Sequence, residues 1–453
     1  MSLLCTRPGV GARRGSRVSR VRVTFDPYEE NAAIVAHSRG LLSLEQIVEG
    51  GLCIGCGLCQ AMTDAGKIRM VLTPEGRERP VAHGGLDGAA LERINAICPG
   101  TRVEGGRPEM QSAQAIYDVV WGYAEQLAMG YAGDPEVRYR ASTGGVLTAL
   151  GQFLLASGRV KFILHVAASA AEPLLTERRL SFDAASVLEG AGSRYGPAAA
   201  LLDFNALLDR GEPFALIAKP CDIAAVRNLA RIDARVNQCL RYALTFVCGG
   251  ASDLTKSEEV VAELGIRRHE LSLFRYRGHG CPGPTRVETQ DGRIFELTYP
   301  QMWEDESTWR IQPRCKICPD AIGESADLAA SDVWPGGGPS GEDGGFNGVI
   351  VRSMRGLELY RAALAAGAIV AEPRDISFRD FDEFQPHQVR KKRAVWARLA
   401  GMRAAGRAVP ETHELRLAEC ARLNSFKENL QEARGARRRA KQGRLGEPPA
   451  VSR

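Results

Sequence analysis

Cys53-Ile54-Gly55-Cys56-Gly57-Leu58-Cys59 sets three thiols two residues apart, and Cys98-Pro99 supplies a fourth much later in the chain. Thiolates at that spacing can wrap one face of an iron-sulfur cube, because the two small glycines let the backbone curl around it. A cysteine followed by proline is how the last ligand of bacterial ferredoxin runs is written. The set Cys53, Cys56, Cys59 and Cys98 therefore reads as a [4Fe-4S] site. Structural zinc, which usually takes its ligands in pairs, and plain buried thiols are the alternatives.

A second group of thiols lies further on. Cys221 follows the apolar run Phe214-Ala215-Leu216-Ile217-Ala218 and Lys219-Pro220, and Cys248 ends the run Tyr242 to Val247. Both runs read as strands whose C-terminal ends share the rim where open α/β sheets bind ligands. Cys315-Lys316-Ile317-Cys318-Pro319-Asp320 adds two thiols at cluster spacing. Four thiols from three loops would close a second [4Fe-4S] site; zinc, a redox dithiol or small buried hydrophobes fit the same residues. Cys281, in Gly278-His279-Gly280-Cys281-Pro282-Gly283, is expected to be an unbound thiol, the alternative being that it replaces one ligand of the second set.

Ser142-Thr143-Gly144-Gly145 opens a helix over Val146 to Leu155. Free N-H groups, small side chains and hydroxyls at a helix start make an anion-friendly pocket, and also an ordinary N-cap. Lys219 at a strand end is a cation for a reduced, anionic cofactor or an acidic substrate, or a lysine that caps a loop. His387, in Gln385-Pro386-His387-Gln388, is a candidate proton donor or a structural histidine.

The elements that must position these residues alternate as in an α/β domain. Helices are expected over Tyr117 to Met129, Pro197 to Asp209, Ile223 to Ala230, Ser257 to Leu264 and Leu357 to Ala366. Strands are expected at Phe162 to Val166 and Gly348 to Arg352, and a hairpin around Asp291-Gly292. Within the first cysteine region, Leu44 to Val48 reads as a short helix, Lys67 to Leu72 as a strand and Asp87 to Ala96 as a helix delivering Cys98. Trp303 and Trp309 are read as core fillers or as walls of a pocket for a planar ring.

The 453 residues, 44% hydrophobic and 25% charged, suit an ordinary globular protein of two or three domains. No apolar run approaches a membrane span, and Met1 to Val23 lacks the apolar core of a secretory signal. Twelve cysteines without an export signal point to a reducing, cytoplasmic setting. The net charge of +5 is uneven: residues 391–453 hold sixteen Lys or Arg against six acids, while the first 390 hold 43 basic and 48 acidic groups. The end of the chain reads as a basic appendage, either solvated or docking an acidic electron carrier or a partner subunit. It lacks the aromatics of a single-strand nucleic-acid binder.

Lys219-Pro220-Cys221-Asp222, Cys248-Gly249-Gly250, Cys315-x-x-Cys318-Pro-Asp and Ala326-Asp327-Leu328-Ala329-Ala330-Ser331-Asp332 resemble the family of coenzyme F-420 hydrogenase/dehydrogenase beta subunits. That family also holds 7-hydroxymethyl chlorophyll a reductases and ferredoxin-dependent divinyl chlorophyllide reductases. Ser142, Thr143, Gly144, Gly145 and Thr148 resemble its flavin-binding helix start, and Gly192-Ser193-Arg194-Tyr195 its following loop.

The resemblance spans about residues 45 to 390. It implies an FAD-binding, mixed-sheet α/β domain at 106–390 with a cluster on Cys221, Cys248, Cys315 and Cys318, beside a ferredoxin-like [4Fe-4S] module at 41–105. A basic, poorly ordered segment (1–40) and a basic, partly helical tail (391–453) flank them. The implied activity is an iron-sulfur flavoprotein oxidoreductase that couples hydride chemistry at FAD to one-electron transfer, with a deazaflavin coenzyme or ferredoxin as redox partner. The alternatives are an electron-transfer subunit of a larger hydrogenase or dehydrogenase complex, and a ferredoxin-dependent reductase of a chlorophyll-like or other unsaturated substrate.

Overall fold

The apolar runs that read as strands line up in one eight-stranded sheet. Its strands are β1 (Gln126–Ala132), β2 (Phe162–Ala168), β3 (Thr176–Ser181), β4 (Phe214–Ile217), β5 (Leu240–Phe246), β6 (Leu328–Asp332), β7 (Asn347–Val351) and β8 (Ile369–Ala371), in the spatial order β8-β1-β7-β6-β5-β4-β2-β3. The four strands β2, β4, β5 and β6 run parallel to one another, while β3, β7, β1 and β8 pair antiparallel at the two sides. The sheet is therefore mixed. The computed structural model describes residues 40–106, 110–305 and 308–452; the expected N-terminal basic segment lies outside the described residues.

Buried on both faces, the central strands are nearly continuous apolar runs, and alternate side chains enter different cores. Phe162, Leu164, Phe214 and Leu216 face Cys56, Leu58, Met62, Ile97 and Ile223. Ile163, Ala215 and Leu244 face the helix α1 (Val146–Ala156) and the helix Met354–Ala365. The first cysteine region thus packs directly on one face of the large sheet. A small antiparallel sheet, Leu271–Arg275, Thr285–Thr289 and Ile294–Leu297, carries the Asp291-Gly292 hairpin and builds its own aromatic core. There Trp303 stacks on Trp309, ring centroids 4.3 Å apart, so these rings pack on one another and on Tyr195 and Tyr276.

Two expected helices are otherwise. Residues 116–132 form the strands Ile116–Asp118 and Gly122–Ala124 and then β1. Gly122 takes φ 76°, and Asp118 Oδ1 accepts from the N-H groups of Val120 and Trp121, which turns the chain instead of winding it. Burial then alternates along Leu127 to Ala132, as pairing with β7 requires. The helix expected from Pro197 begins only at Phe204. Its first turn is lost because Leu201 N donates to Cys56 O, 2.8 Å, tying that stretch to the first cysteine loop.

The region beyond residue 390 is packed, not appended. Helix α3 (Pro386–Arg403) runs across that boundary and crosses helix α4 (Phe426–Lys441). Val395, Leu399, Met402, Ala436 and Leu445 share one core with Leu44, Ile47, Leu52 and Cys53. An alanine-rich face of α4 allows this: Gly401 lies so close that an added Cβ would come within 2.1 Å of Ala433 O. Charge counting missed it because most basic residues of α4 are exposed on its outer side, while others, such as Lys392 of α3, are buried against acids and carbonyls. Among the described residues no helix is long and apolar enough to cross a membrane.

Candidate functional site

The first cysteine loop is shaped by Gly55 and Gly57, at φ 73° and 84°, a backbone that side-chain-bearing residues avoid. The helix Gly88–Ile97, N-capped by Asp87 whose side chain accepts from Ala90 N, delivers Cys98 at its C-terminal end. Backbone N-H groups point at the sulfurs: Gly55 N to Cys53 Sγ and Gly100 N to Cys98 Sγ, both 3.3 Å. Cys53, Cys56, Cys59 and Cys98 act electrostatically on one another, so the four thiols converge.

The second set converges as well. Cys221 lies in the first turn of helix α2 (Pro220–Leu229) after β4, and Cys248 follows β5, the neighbouring parallel strand. Cys315 and Cys318 come from the short helix Pro313–Lys316 and the turn after it. All four line one small cavity, together with Lys219, Lys391 and Ile54. Ile54 stands between Cys53 and Cys56, so the two cysteine loops meet at this cavity. Ala251 N donates to Cys315 Sγ, 3.4 Å.

Burial pushes the thiols of Cys53, Cys56, Cys59, Cys98, Cys221, Cys248 and Cys318 upward, Cys98 to about 11 and Cys248 to about 12. Left alone they stay protonated; a metal centre supplies the positive charge that displaces the proton. Among the described residues no three His, Cys, Asp or Glu side chains form a single-ion site. A cube spreads its ligands wider than one ion does, and buried sulfurs with N-H donors aimed at them fit a cluster.

Two buried arginines join the sets. Arg79, fully buried, feels both Cys53 and Cys315, and its guanidinium donates to Glu78 O, Gln312 Oε1 and both oxygens of Glu447. Arg314 donates to Pro99 O, 2.9 Å, and acts on Cys98 and Cys318. Neither carries a sequence signal, since a lone arginine in a strand or turn reads as surface.

Lys219 caps α2, its Nζ 2.7 Å from Asp222 Oδ2. Burial opposes its charge, yet Asp222 and the neighbouring Cys221 thiol hold its pKa above the ordinary lysine value. Burial raises the pKa of Asp222, and Lys219 opposes that rise.

Helix α3 clamps the loops of the second set. Gln388 Nε2 donates to Cys248 O at 2.8 Å, Lys391 Nζ to Gly249 O at 3.1 Å, Lys392 Nζ to Pro319 O at 2.9 Å and Arg398 to Lys316 O at 3.0 Å. Lys392 also pairs with the buried Glu324. His387, in the first turn of α3, packs beside Gly337. Burial, with Lys391 and Arg390 nearby, lowers its pKa to about 4, so its imidazole is uncharged at neutral pH.

The Ser142 loop sits between β1 and β7. Ser142 Oγ accepts from Ser193 N, 2.7 Å, and Thr143 Oγ1 from Asn347 Nδ2, 2.8 Å. Asn347 Oδ1 caps α1 by accepting from Val146 N, so Asn347 is a site residue that the sequence did not announce. Thr143, Gly144 and Gly145 are buried, and their backbone N-H groups have no hydrogen-bond acceptor among the described residues. That is the environment an anionic or carbonyl group would fill. Thr148 lies half-buried in the first turn of α1.

Arg277 orders the surroundings, donating to Ser142 O, Tyr195 Oη and Asp332 Oδ2 and lying over Trp334. The loop then continues to the second thiol set: Tyr195 O accepts from Ser252 N, 3.1 Å, next to Ala251 and Cys315. Cys281 is outside this set, buried against Gly345 and the Thr143 carbonyl region, with burial and Asp343 raising its pKa to about 12.

Comparison with known proteins bears on these same segments. Residues 127–204 match the model of the coenzyme F420 hydrogenase/dehydrogenase beta subunit N-terminal region, and residues 211–376 that of its C-terminal region. A chain of the F420-reducing [NiFe] hydrogenase complex from Methanosarcina barkeri, solved as a xenon derivative, is similar at 19% identity and TM-score 0.47, over 61% of this chain and 95% of that one. No curated protein matches significantly.

Proposed function

Since the chain belongs to the coenzyme F420 hydrogenase/dehydrogenase beta subunit family, an oxidoreductase family, we propose that it is an iron-sulfur flavoprotein holding FAD and two [4Fe-4S] clusters. In this reading Cys53, Cys56, Cys59 and Cys98 hold one cluster, and Cys221, Cys248, Cys315 and Cys318 the other. Ser142, Thr143, Gly144, Gly145, Thr148, Ser193 and Tyr195 form the flavin loop. The chemistry so supplied is exchange of an electron pair, carried as hydride at a flavin, for single electrons at clusters.

The chain's own residues do the positioning. The backbone N-H groups at 143–145 would hold the flavin, and Arg277 holds the Ser142 loop against Tyr195. Lys219 keeps a positive charge at the cavity of the second thiol set, which favours added negative charge there. His387 is uncharged at neutral pH and enters only as a neutral hydrogen-bonding group near the α3 start. Aromatic packing around Tyr195, Trp303 and Trp309 keeps water from that side.

The observation that carries the proposal is the shared cavity, where Ile54 of the first cysteine loop meets all four thiols of the second set. Two cysteine loops that meet at one cavity, with the Ser142 loop tied to the second thiol set through Tyr195 and Ser252, suit a relay. The redox partner is a reduced deazaflavin coenzyme or a ferredoxin. The family is named for beta subunits, which favours a second reading in which the chain passes electrons inside a larger complex.

Iron, sulfide and flavin content with an absorption spectrum, on protein purified without oxygen, tests this. About eight irons and one FAD per chain are expected; zinc without flavin would falsify the redox reading. Reduced deazaflavin and reduced ferredoxin, offered in turn, then separate the partners.

A further inference from the structure

Three consecutive residues ahead of Cys315 reach the first cysteine region. Gln312 Oε1 accepts from Arg79 Nη2, 2.9 Å, and Arg314 Nη2 donates to Pro99 O, 2.9 Å. Between them Pro313 lies against Gly51, where an added Cβ would come within 2.9 Å of Pro313 Cβ. The same segment is also part of the second thiol loop, since Cys315 N donates to Gln312 O and Gln312 N to Ala251 O, both 3.0 Å. Gln312 lines the cavity shared by the four thiols of that set.

Arg79 is buried and engaged on every nitrogen. Glu447 grips the edge formed by Nε and Nη2, while Nη1 donates to Glu78 O, 2.7 Å. Nη1 is also the edge nearest the first thiol loop: a Cβ on Gly55 would come within 3.2 Å of it, and Gly55 N is the donor to Cys53 Sγ. The guanidinium thus turns the side away from the Glu447 carboxylate toward the first set. Toward the second set it acts through Gln312. An arginine has no acceptor, so Gln312 can face it only with its oxygen. The buried amide nitrogen Nε2 is then left without an acceptor among the described residues, on a side chain that lines the second cavity.

We propose that Arg79 and Gln312 are the positioning residues that set the electron affinity of the two thiol sets together: Arg79 gives the first set a fixed positive charge and turns Gln312 so that an amide donor is left for the second. This rests on the reading that both sets hold clusters. The potential of a cluster follows its net charge and the hydrogen bonds to its sulfurs, so both contributions favour the reduced form. Holding the fold together does not by itself call for charge here, because a buried ion pair returns little over an apolar pair of the same volume. What an apolar pair lacks is a cation set between two thiol loops.

The test is a redox titration followed by electron paramagnetic resonance, on the full chain purified without oxygen, with iron content and the urea midpoint read on the same samples. Cys318→Ser and Cys56→Ser assign the signals to the first and the second set. Gln312→Leu should lower the potential of the second set and leave that of the first unchanged. R79M/E447L should lower both, each by the equivalent of about a fivefold or greater fall in the reduced-to-oxidised ratio at fixed potential, the size of one hydrogen bond. Arg79→Lys keeps a charge and a donor for Gln312, so its potentials should stay nearer those of the natural chain. A merely structural role would move the urea midpoints and leave the potentials alone. Full iron with an unchanged second potential in Gln312→Leu overturns the inference, as does a fall in Arg79→Lys as large as that in R79M/E447L. If R79M/E447L takes up no iron, Gln312→Leu decides, since it leaves the ion pair in place. A natural chain lacking iron at either set overturns the cluster reading, and this inference with it.

Discussion

Arg79 and Glu447 form a two-pronged ion pair, Nε to Oε2 and Nη2 to Oε1 both at 2.7 Å, buried beside the two thiol sets. Residue 79 belongs to the strand Glu78–Ala82 of the first cysteine region, and residue 447 lies near the end of the chain. The pair therefore ties the C-terminal region to the module that holds Cys53, and places a permanent positive charge within reach of Cys53 and Cys315.

Replacing Glu447 with Ala should destabilise the protein by about 3–5 kcal/mol, because it leaves the Arg79 charge buried without its partner. Urea unfolding measures this. The double variant Arg79→Met/Glu447→Leu should recover much of the loss, since it removes both charges. A double variant no more stable than Glu447→Ala would show that the pair is needed for its geometry.

Gln388 holds the carbonyl of Cys248 from helix α3. Gln388→Ala should cost about 1 kcal/mol and free the Cys248 loop. The readout is iron release to a chelator: the iron of the second set should leave faster, that of the first set at an unchanged rate. Equal release from both sets would mean that Gln388 acts on overall stability only.

The two thiol sets should be separable. Cys56→Ser and Cys318→Ser are each expected to lower iron from about eight to about four per chain, with different spectra for what remains. Cys281→Ser should leave iron unchanged, because that thiol packs by Gly345 and not in the shared cavity. Iron loss in Cys281→Ser would place it among the ligands.

Acid should weaken the fold through His165. Burial and the nearby Arg179 lower its pKa to about 4, while its ring nitrogen shares a hydrogen bond with Ser181 Oγ at 2.8 Å. Below the unfolded value of about 6.5 the unfolded chain binds a proton that the folded one refuses, so stability falls as pH drops from about 6.5 to about 4. Urea midpoints across that range measure the slope. His165→Gln should reduce it, leaving the share of His387, whose pKa is lowered to about 4 in the same way, and an unchanged slope in that variant would assign the acid sensitivity elsewhere.

Sequence alone determined what depends on neighbours along the chain. The Cys-x-x-Cys-x-x-Cys spacing, the helix starting at Asp87, the Asp291-Gly292 turn and the central strands are local chemistry, in which side-chain type and spacing suffice. The family resemblance rested on such short motifs, and the matches over 127–204 and 211–376 agree with it. Only the tertiary structure decided the rest. Residues 117–129 carry apolar groups that suit a helix, but the partner strand β7 lies more than two hundred residues away and its ladder wins. The first turn expected at Pro197 is given up to Cys56 O. The C-terminal region reads as a solvated basic tail because charge is counted along the chain, whereas burial depends on which face of α3 and α4 meets the core. For the same reason Arg79, Arg277, Arg314, Asn347 and Gln388 were silent: a polar side chain shows its role only when distant backbone carbonyls and thiols are brought to it.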